Sequence, residues 1–105
     1  MGKKSSIASL SRLIANIVIH KILVKHTNKP ESISYLEHEI IEYRDVAITS
    51  AQEFNWNKED LNKIESLSLK KFNKEMSKRY PDVKFPIKEA ENIILETIDE
   101  IIPSN

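Results

Sequence analysis

The stretch Ile7–Val24, IASLSRLIANIVIHKILV, decides the fold. Taken as a helix at about 100° per residue, it spreads Ile7, Leu10, Leu13, Ile14, Ile17, Val18, Ile19, Ile22, Leu23 and Val24 around most of its circumference. Only a narrow strip with Ser9, Arg12, Asn16 and His20 is polar. A helix apolar nearly all round is buried on several sides, spans a membrane, or meets a partner. Spanning takes ~20 apolar residues, whereas Leu13–Val24 is twelve residues interrupted by Asn16, His20 and Lys21. Arg12 breaks the apolar run and no small-residue cleavage site follows, so a signal peptide is also a poor fit. The helix is therefore expected either at the centre of a bundle or in an oligomer interface. In the second case Ile17, Ile19, Leu23 and Val24 supply the excess apolar surface.

The rest of the chain reads as helix as well. Pro30, Pro81, Pro86 and Pro103 mark element boundaries, because proline lacks an N–H and clashes with the preceding turn. Asn28–Glu31 and Asn57–Asp60 carry capping-box patterns, and Pro86 suits a helical first turn. No segment alternates with period two for long, and no hairpin dipeptide occurs. The prediction is an all-α, antiparallel four-helix bundle with helices at about 5–27, 30–54, 57–80 and 86–102. One domain covers 1–105, with 1–5 and 103–105 flexible. The expected apolar stripes are Leu36, Ile40, Tyr43, Ala47, Ala51 and Phe54 in the second helix, with Ala47 and Ala51 permitting a close crossing. They are Leu61, Leu69, Phe72, Met76 and Tyr80 in the third, and Ile87, Ala90, Ile94, Ile98 and Ile101 in the fourth.

The 105 residues carry 16 Lys+Arg and 16 Asp+Glu, a net charge of zero. Those charges are sorted. Residues 1–29 hold six basic groups and no acid; 30–56 hold six acids and Arg44. Residues 57–84 have eight basic and five acidic groups, and 85–105 have Lys88 against five acids. If sequential helices lie side by side in a closed ring, every neighbouring pair is opposite in sign. The neutral total then reads as internal complementarity that selects topology. Exposed pairs contribute only ~0–1 kcal/mol each.

Composition excludes several chemistries. The absence of Cys removes disulfide scaffolds, thiolate catalysis and Cys-based zinc sites. The sole glycine, Gly2, removes every glycine-rich phosphate cradle. Nothing resembles a nucleophile with a base and an oxyanion site, so no enzyme, cofactor or small-molecule substrate is expected. His38 and Glu42 share a face at i,i+4 spacing and suit a surface ion pair; no Glu-x-x-His occurs that would suit a metal bundle. Glu37, Arg44 and Glu65 sit at the edges of apolar arcs, where polar groups require partners.

Two features point to ligands. Lys63, Lys70, Lys74 and Lys78, with Lys71 beside them, run along the third helix opposite its apolar stripe. Such a row can track phosphates, though the neutral total argues against a strongly basic domain, and only Trp56 and Tyr35 are placed to stack on bases. Met1–Ser6, MGKKSS, fits the N-myristoylation pattern at Gly2, with Lys3 and Lys4 as an electrostatic second signal. An ordinary basic N-terminus is the default reading. The sequence therefore predicts a soluble, cytoplasmic, non-catalytic helical interaction module that associates with a protein partner or with itself through the first helix. The alternatives are a nucleic-acid-associated factor using the lysine row, and a peripheral membrane adaptor acylated at Gly2.

Overall fold

The computed structural model of the chain describes residues 2–103. It contains α1 (Lys3–His26), a 3-10 turn (Pro30–Ser32), α2 (Ile33–Ala51), α3 (Lys58–Arg79) and α4 (Ile87–Ile101), and no strand among the described residues. The all-α, four-helix class read from the sequence is the observed one. Of the termini expected to be flexible, Met1 and residues 104–105 lie outside the described residues. Lys3–Ser5 form the first turn of α1.

Local chemistry sets the boundaries, not always as the sequence suggested. Asn57 caps α3 with a reciprocal box: its Oδ1 accepts from the Asp60 N–H at 2.8 Å, and Asp60 Oδ2 accepts from the Asn57 N–H at 3.1 Å. The matching pattern at Asn28 does not form; Lys29 is the N-terminal flanking residue, without a side-chain cap. Lys29 precedes a proline, which disfavours the helical region, and it adopts φ −116° and ψ 82°. Winding therefore starts only at Pro30. Helix α2 ends at Ala51, three residues earlier than expected, where the Trp56 indole N–H donates to the Ala51 carbonyl at 2.8 Å. That bond satisfies a carbonyl the ending helix leaves unpaired. Phe54 falls in the connection and packs edge-to-face on Trp56 at 5.7 Å.

Helix α1 is the central element. Its 24 residues give it a length of ~36 Å, close to the 40 Å long axis of the molecule. It packs against α2, α3 and α4, and α4 touches all three others, while α2 and α3 barely meet. The expected ring of sequential neighbours is thus replaced by a fan: α2, α4 and α3 in that order around α1. Directions follow from pairings along α1. Lys3 meets Asp60 and Ser11 meets Ser68, so α3 runs parallel to it. Lys21 meets Glu100 and His26 meets Glu89, so α4 runs antiparallel. Helix α2 is antiparallel as well: Leu23 and Leu36 line one cleft, the His20 and Tyr43 rings lie 5.6 Å apart, and Lys3 sits over the Trp56 ring just beyond the end of α2.

The same arrangement explains α1's length and apolarity. By length and composition the helix is able to cross a membrane, although its longest apolar run is interrupted. In this fold ten of its residues are instead buried against neighbours.

Before Phe72 the α3 stripe is turned relative to the sequence reading. Asp60, Ile64, Ser68, Phe72 and Met76, four apart, are buried, while Leu61, Leu69 and Tyr80 flank them half-buried. Ridges of i±4 residues are the commonest packing surface between helices, and two serines lie where α3 crosses α1. The Ser68 hydroxyl donates to the Ser11 carbonyl at 3.4 Å, and both residues are fully buried. In α4, Thr97 joins Ala90, Ile94, Ile98 and Ile101 in the core, whereas Ile87, the first residue of the helix, is 61% exposed. In α2 Leu36, Ala47 and Ala51 are buried, and Ile40 and Tyr43 pack half-buried against them.

Phe72 is fully buried and meets Phe85 edge-to-face at 5.5 Å. Phe72→Ala is expected to lower unfolding free energy by about 3–5 kcal/mol. Ile41→Ala, at a 50% exposed position, should change it by less than about 0.5 kcal/mol. Urea denaturation followed by circular dichroism measures both.

Candidate functional site

Because α3 lies parallel and adjacent to α1, the two basic segments of the chain share one side of the molecule. Lys4 and Ala8 of α1 line a common groove with Lys63, Ser66 and Leu67 of α3. One turn further along α1, Arg12 is exposed beside the buried Ser11–Ser68 crossing. From there Lys70, Lys74 and Lys78 continue the exposed row along α3, with Lys71 half-buried at its edge. Fifteen residues separate Lys63 from Lys78, a rise of ~22 Å. The row predicted on α3 is therefore one half of a two-helix basic face, and Lys4 and Arg12 are the half that the helical pattern of α3 did not reveal. The polar strip of α1 was visible in the sequence; its neighbour was not.

The charges on this face are largely free. Two cations of the groove have a carboxylate in ion-pair range among the described residues: Lys3 meets Asp60, which lines the same groove, and Lys63 has Glu59 one turn back at 3.8 Å, with both of those side chains mostly exposed. Lys4, Arg12, Lys70, Lys74 and Lys78 have none among those residues. Their acidic counterparts lie elsewhere. Glu37, Glu42 and Asp45 of α2 and Glu91, Glu96 and Asp99 of α4 are exposed on the other helices. Complementarity between neighbouring helices was expected throughout. It is observed chiefly between α1 and α4, where Lys21 meets Glu100 at 3.0 Å and Glu89 meets His26 at 2.6 Å and Lys25 at 3.5 Å. Lys21 also donates to Thr97 Oγ1 at 2.9 Å. No ion pair joins α1 to α2 among the described residues, and α1 and α3, both basic, make one of the two largest helix contacts.

The remaining residues singled out by the sequence take other positions. Ile17, Ile19 and Leu23 lie in the core of the single chain, at 0%, 1% and 7% exposure, and Val24 is half-buried against it. The apolar surface assigned to an interface is thus covered by the chain's own helices. Gly2 is the exposed N-terminal flanking residue of α1, with open space around it. His38 and Glu42 pair at 3.2 Å on the exposed side of α2. Glu37 is exposed, and Arg44 and Glu65 are half-buried. None of these three has an ion-pair partner among the described residues. His20 donates to the Asn16 carbonyl at 2.6 Å, and His26 donates to Glu89.

Comparison with known protein families, with curated proteins and with solved structures finds no match to this chain.

Two carboxylates tie α1 to its neighbours and give the fold an acid limit. A hydrogen bond from Lys3, then one from the Asn57 N–H, holds Asp60 below its ordinary value. A hydrogen bond from His26, then the charge of Lys25, does the same for Glu89. Both groups hold protons less readily folded than unfolded. Their contribution is therefore complete above the unfolded carboxyl range of about 4 and is lost as pH falls through the lower folded values. Urea midpoints should stay level from neutral pH to about 5 and drop below about 4. An Asp60→Asn, Glu89→Gln double variant should start lower at neutral pH and lose less on acidification.

Proposed function

We propose that this domain is a nucleic-acid-associated binding module whose phosphate-contacting surface is the α1/α3 face. One observation carries the reading: Lys4, Arg12, Lys70, Lys74 and Lys78 are exposed on one side of the fold without carboxylate partners among the described residues. Cations at successive helical turns, ~6 Å apart along α3, need no base-specific geometry to bind a phosphate backbone. The neutral total does not oppose this, because the exposed acids of α2 and α4 stand on other helices. It limits non-specific adsorption and orients the molecule in the field of a polyanion.

A protein-interaction role is a second reading, favoured by a different surface from the one the sequence suggested. Tyr35, Ile41 and Val46 of α2 and Ile87 and Leu95 of α4 are large apolar side chains 46–63% exposed. Self-association would use exposed side chains of α2 and α4, such as Ile41 and Leu95, and not the buried residues of α1. Sedimentation at several concentrations, with Ile41→Ser and Leu95→Ser as disruptive variants, tests it; a concentration-independent monomer removes it.

Binding to labelled nucleic acid should be measurable by fluorescence anisotropy at low salt. With four phosphate contacts, raising salt from about 50 to 200 mM should weaken it by about 10²-fold. A Lys70→Glu, Lys74→Glu double variant should lose at least tenfold in affinity. Both positions are exposed, so its thermal melting should match the native chain. Absence of binding to duplex and single strand alike at low salt would overturn the reading.

A further inference from the structure

At one end of the bundle, the α1–α2 and α3–α4 connections enclose a cleft of about 730 Å³. It is continuous in sequence with the basic face: Lys78 ends the row on α3, and the next two residues, Arg79 and Tyr80, line the cleft. Leu23 and Leu36, 7% and 8% exposed, form its apolar floor. Lys29, Arg79 and Lys84 are exposed cations on its walls, against the single carboxylate Asp82.

Two aromatic rings border the same space. The Arg79 guanidinium lies 5.3 Å from the centre of the Tyr80 ring, and its Nη2 donates to the Tyr80 hydroxyl at 3.4 Å. That leaves the remaining guanidinium donors for an incoming anion. Tyr35 is 63% exposed, and its hydroxyl donates to Glu39 at 2.7 Å. This hydrogen bond, with the charge of Glu39, raises the phenol above its ordinary value, so the ring remains neutral.

An apolar floor, two aromatic rings and three cations match the parts of one nucleotide: a base with a π face and a charged phosphate. The volume lies in the range of small-molecule sites, ~300–1,000 Å³. A duplex cannot supply that ligand, since its bases are paired and stacked inside the helix. A single strand can, with its backbone on the lysine row and one unstacked base turned into the cleft.

We propose, resting on the nucleic-acid reading above, that the end cleft binds one unpaired nucleotide, base against Tyr35 and Tyr80 and phosphate against Lys29, Arg79 and Lys84, so that the domain prefers single-stranded nucleic acid. The row and the cleft then have different tasks. The row supplies salt-sensitive affinity for any phosphate backbone, and the cleft supplies discrimination by stacking.

The test compares anisotropy with an oligothymidylate and an oligouridylate of about 12 nucleotides, within single-strand site sizes, and a duplex of the same length. The native chain should bind one or both single strands more tightly than the duplex, and comparison of the two distinguishes DNA from RNA as the ligand. Tyr35→Ala, at an exposed position that leaves the core intact, should weaken single-strand binding about tenfold and duplex binding by less than about twofold. Tyr35→Phe should behave as native, because stacking uses the ring and not the hydroxyl. Equal binding of duplex and single strand, or a Tyr35→Ala variant that binds single strands as the native chain does, overturns the cleft. If the Lys70→Glu, Lys74→Glu variant still loses affinity in that case, the basic-face reading stands alone. If the native chain binds none of the three probes at low salt, both readings fall.

Discussion

The structure depends on covering one helix. Nine of the nineteen buried hydrophobic residues described belong to α1, and its large apolar side chains point in several directions. Burying each such side chain is worth ~1.5–3 kcal/mol, so leaving any face of α1 in water is strongly unfavourable. Two neighbours cannot enclose a helix ~36 Å long on so many sides. Three can, and α2, α4 and α3 divide its circumference. The open arc is the one where α1 carries Ser5, Ser9 and Arg12, all exposed. Ser9 and Arg12 of the polar strip thus mark the opening left between α2 and α3, whereas Asn16 and His20 of the same strip are half-buried, His20 against Tyr43.

That packing order redistributes the charges. With α4 between α2 and α3, the helix that follows α2 in the chain lands beside α1. The two basic segments become neighbours, and a buried serine contact stands at their crossing. Repulsion between them is modest because their cations face solvent, where like charges are screened within about 10 Å at ordinary ionic strength. The dry contact underneath, formed by Ser11, Ser68, Ile64 and Phe72 with the core of α1, outweighs it. Attraction is concentrated at the α1–α4 seam, where Lys21, Lys25 and His26 meet Glu89 and Glu100 and fix α4 against the centre.

Up-and-down order has a further consequence at the ends. The C-terminus of α1, the N-terminus of α2, the C-terminus of α3 and the N-terminus of α4 all gather at one end, bringing two connections together. Both contain proline: Thr27–Pro30 on one side and Pro81–Pro86 on the other, the latter packing Val83 and Phe85 against the core. The cleft between them lies above Leu23 and Leu36. Its cations come from both connections and from the last turn of α3, where basic groups also suit the helix dipole.

The sequence by itself determined the helices, their approximate limits and the role of α1 as the element to be covered, because periodicity and proline positions are local properties. Boundaries went astray where a side chain from beyond the helix intervened, as Trp56 does at Ala51, or where a residue's own backbone preference overruled a capping pattern, as at Lys29 before Pro30. In the α3 stripe Phe72 and Met76 were placed as observed, but the part before them was misplaced by one position, because Asp60, Ile64 and Ser68 are buried by their register on α1, which no intrahelical pattern reveals. Lys63, Lys70, Lys74 and Lys78 were legible as a row; that Lys4 and Arg12 extend it, and that Tyr35 and Arg79 face one cleft, was not. Only the tertiary structure decided those neighbours. Net charge and charge blocks constrain which contacts would be favourable, but the dry area around α1 dominates the energy, and it placed like-charged helices side by side.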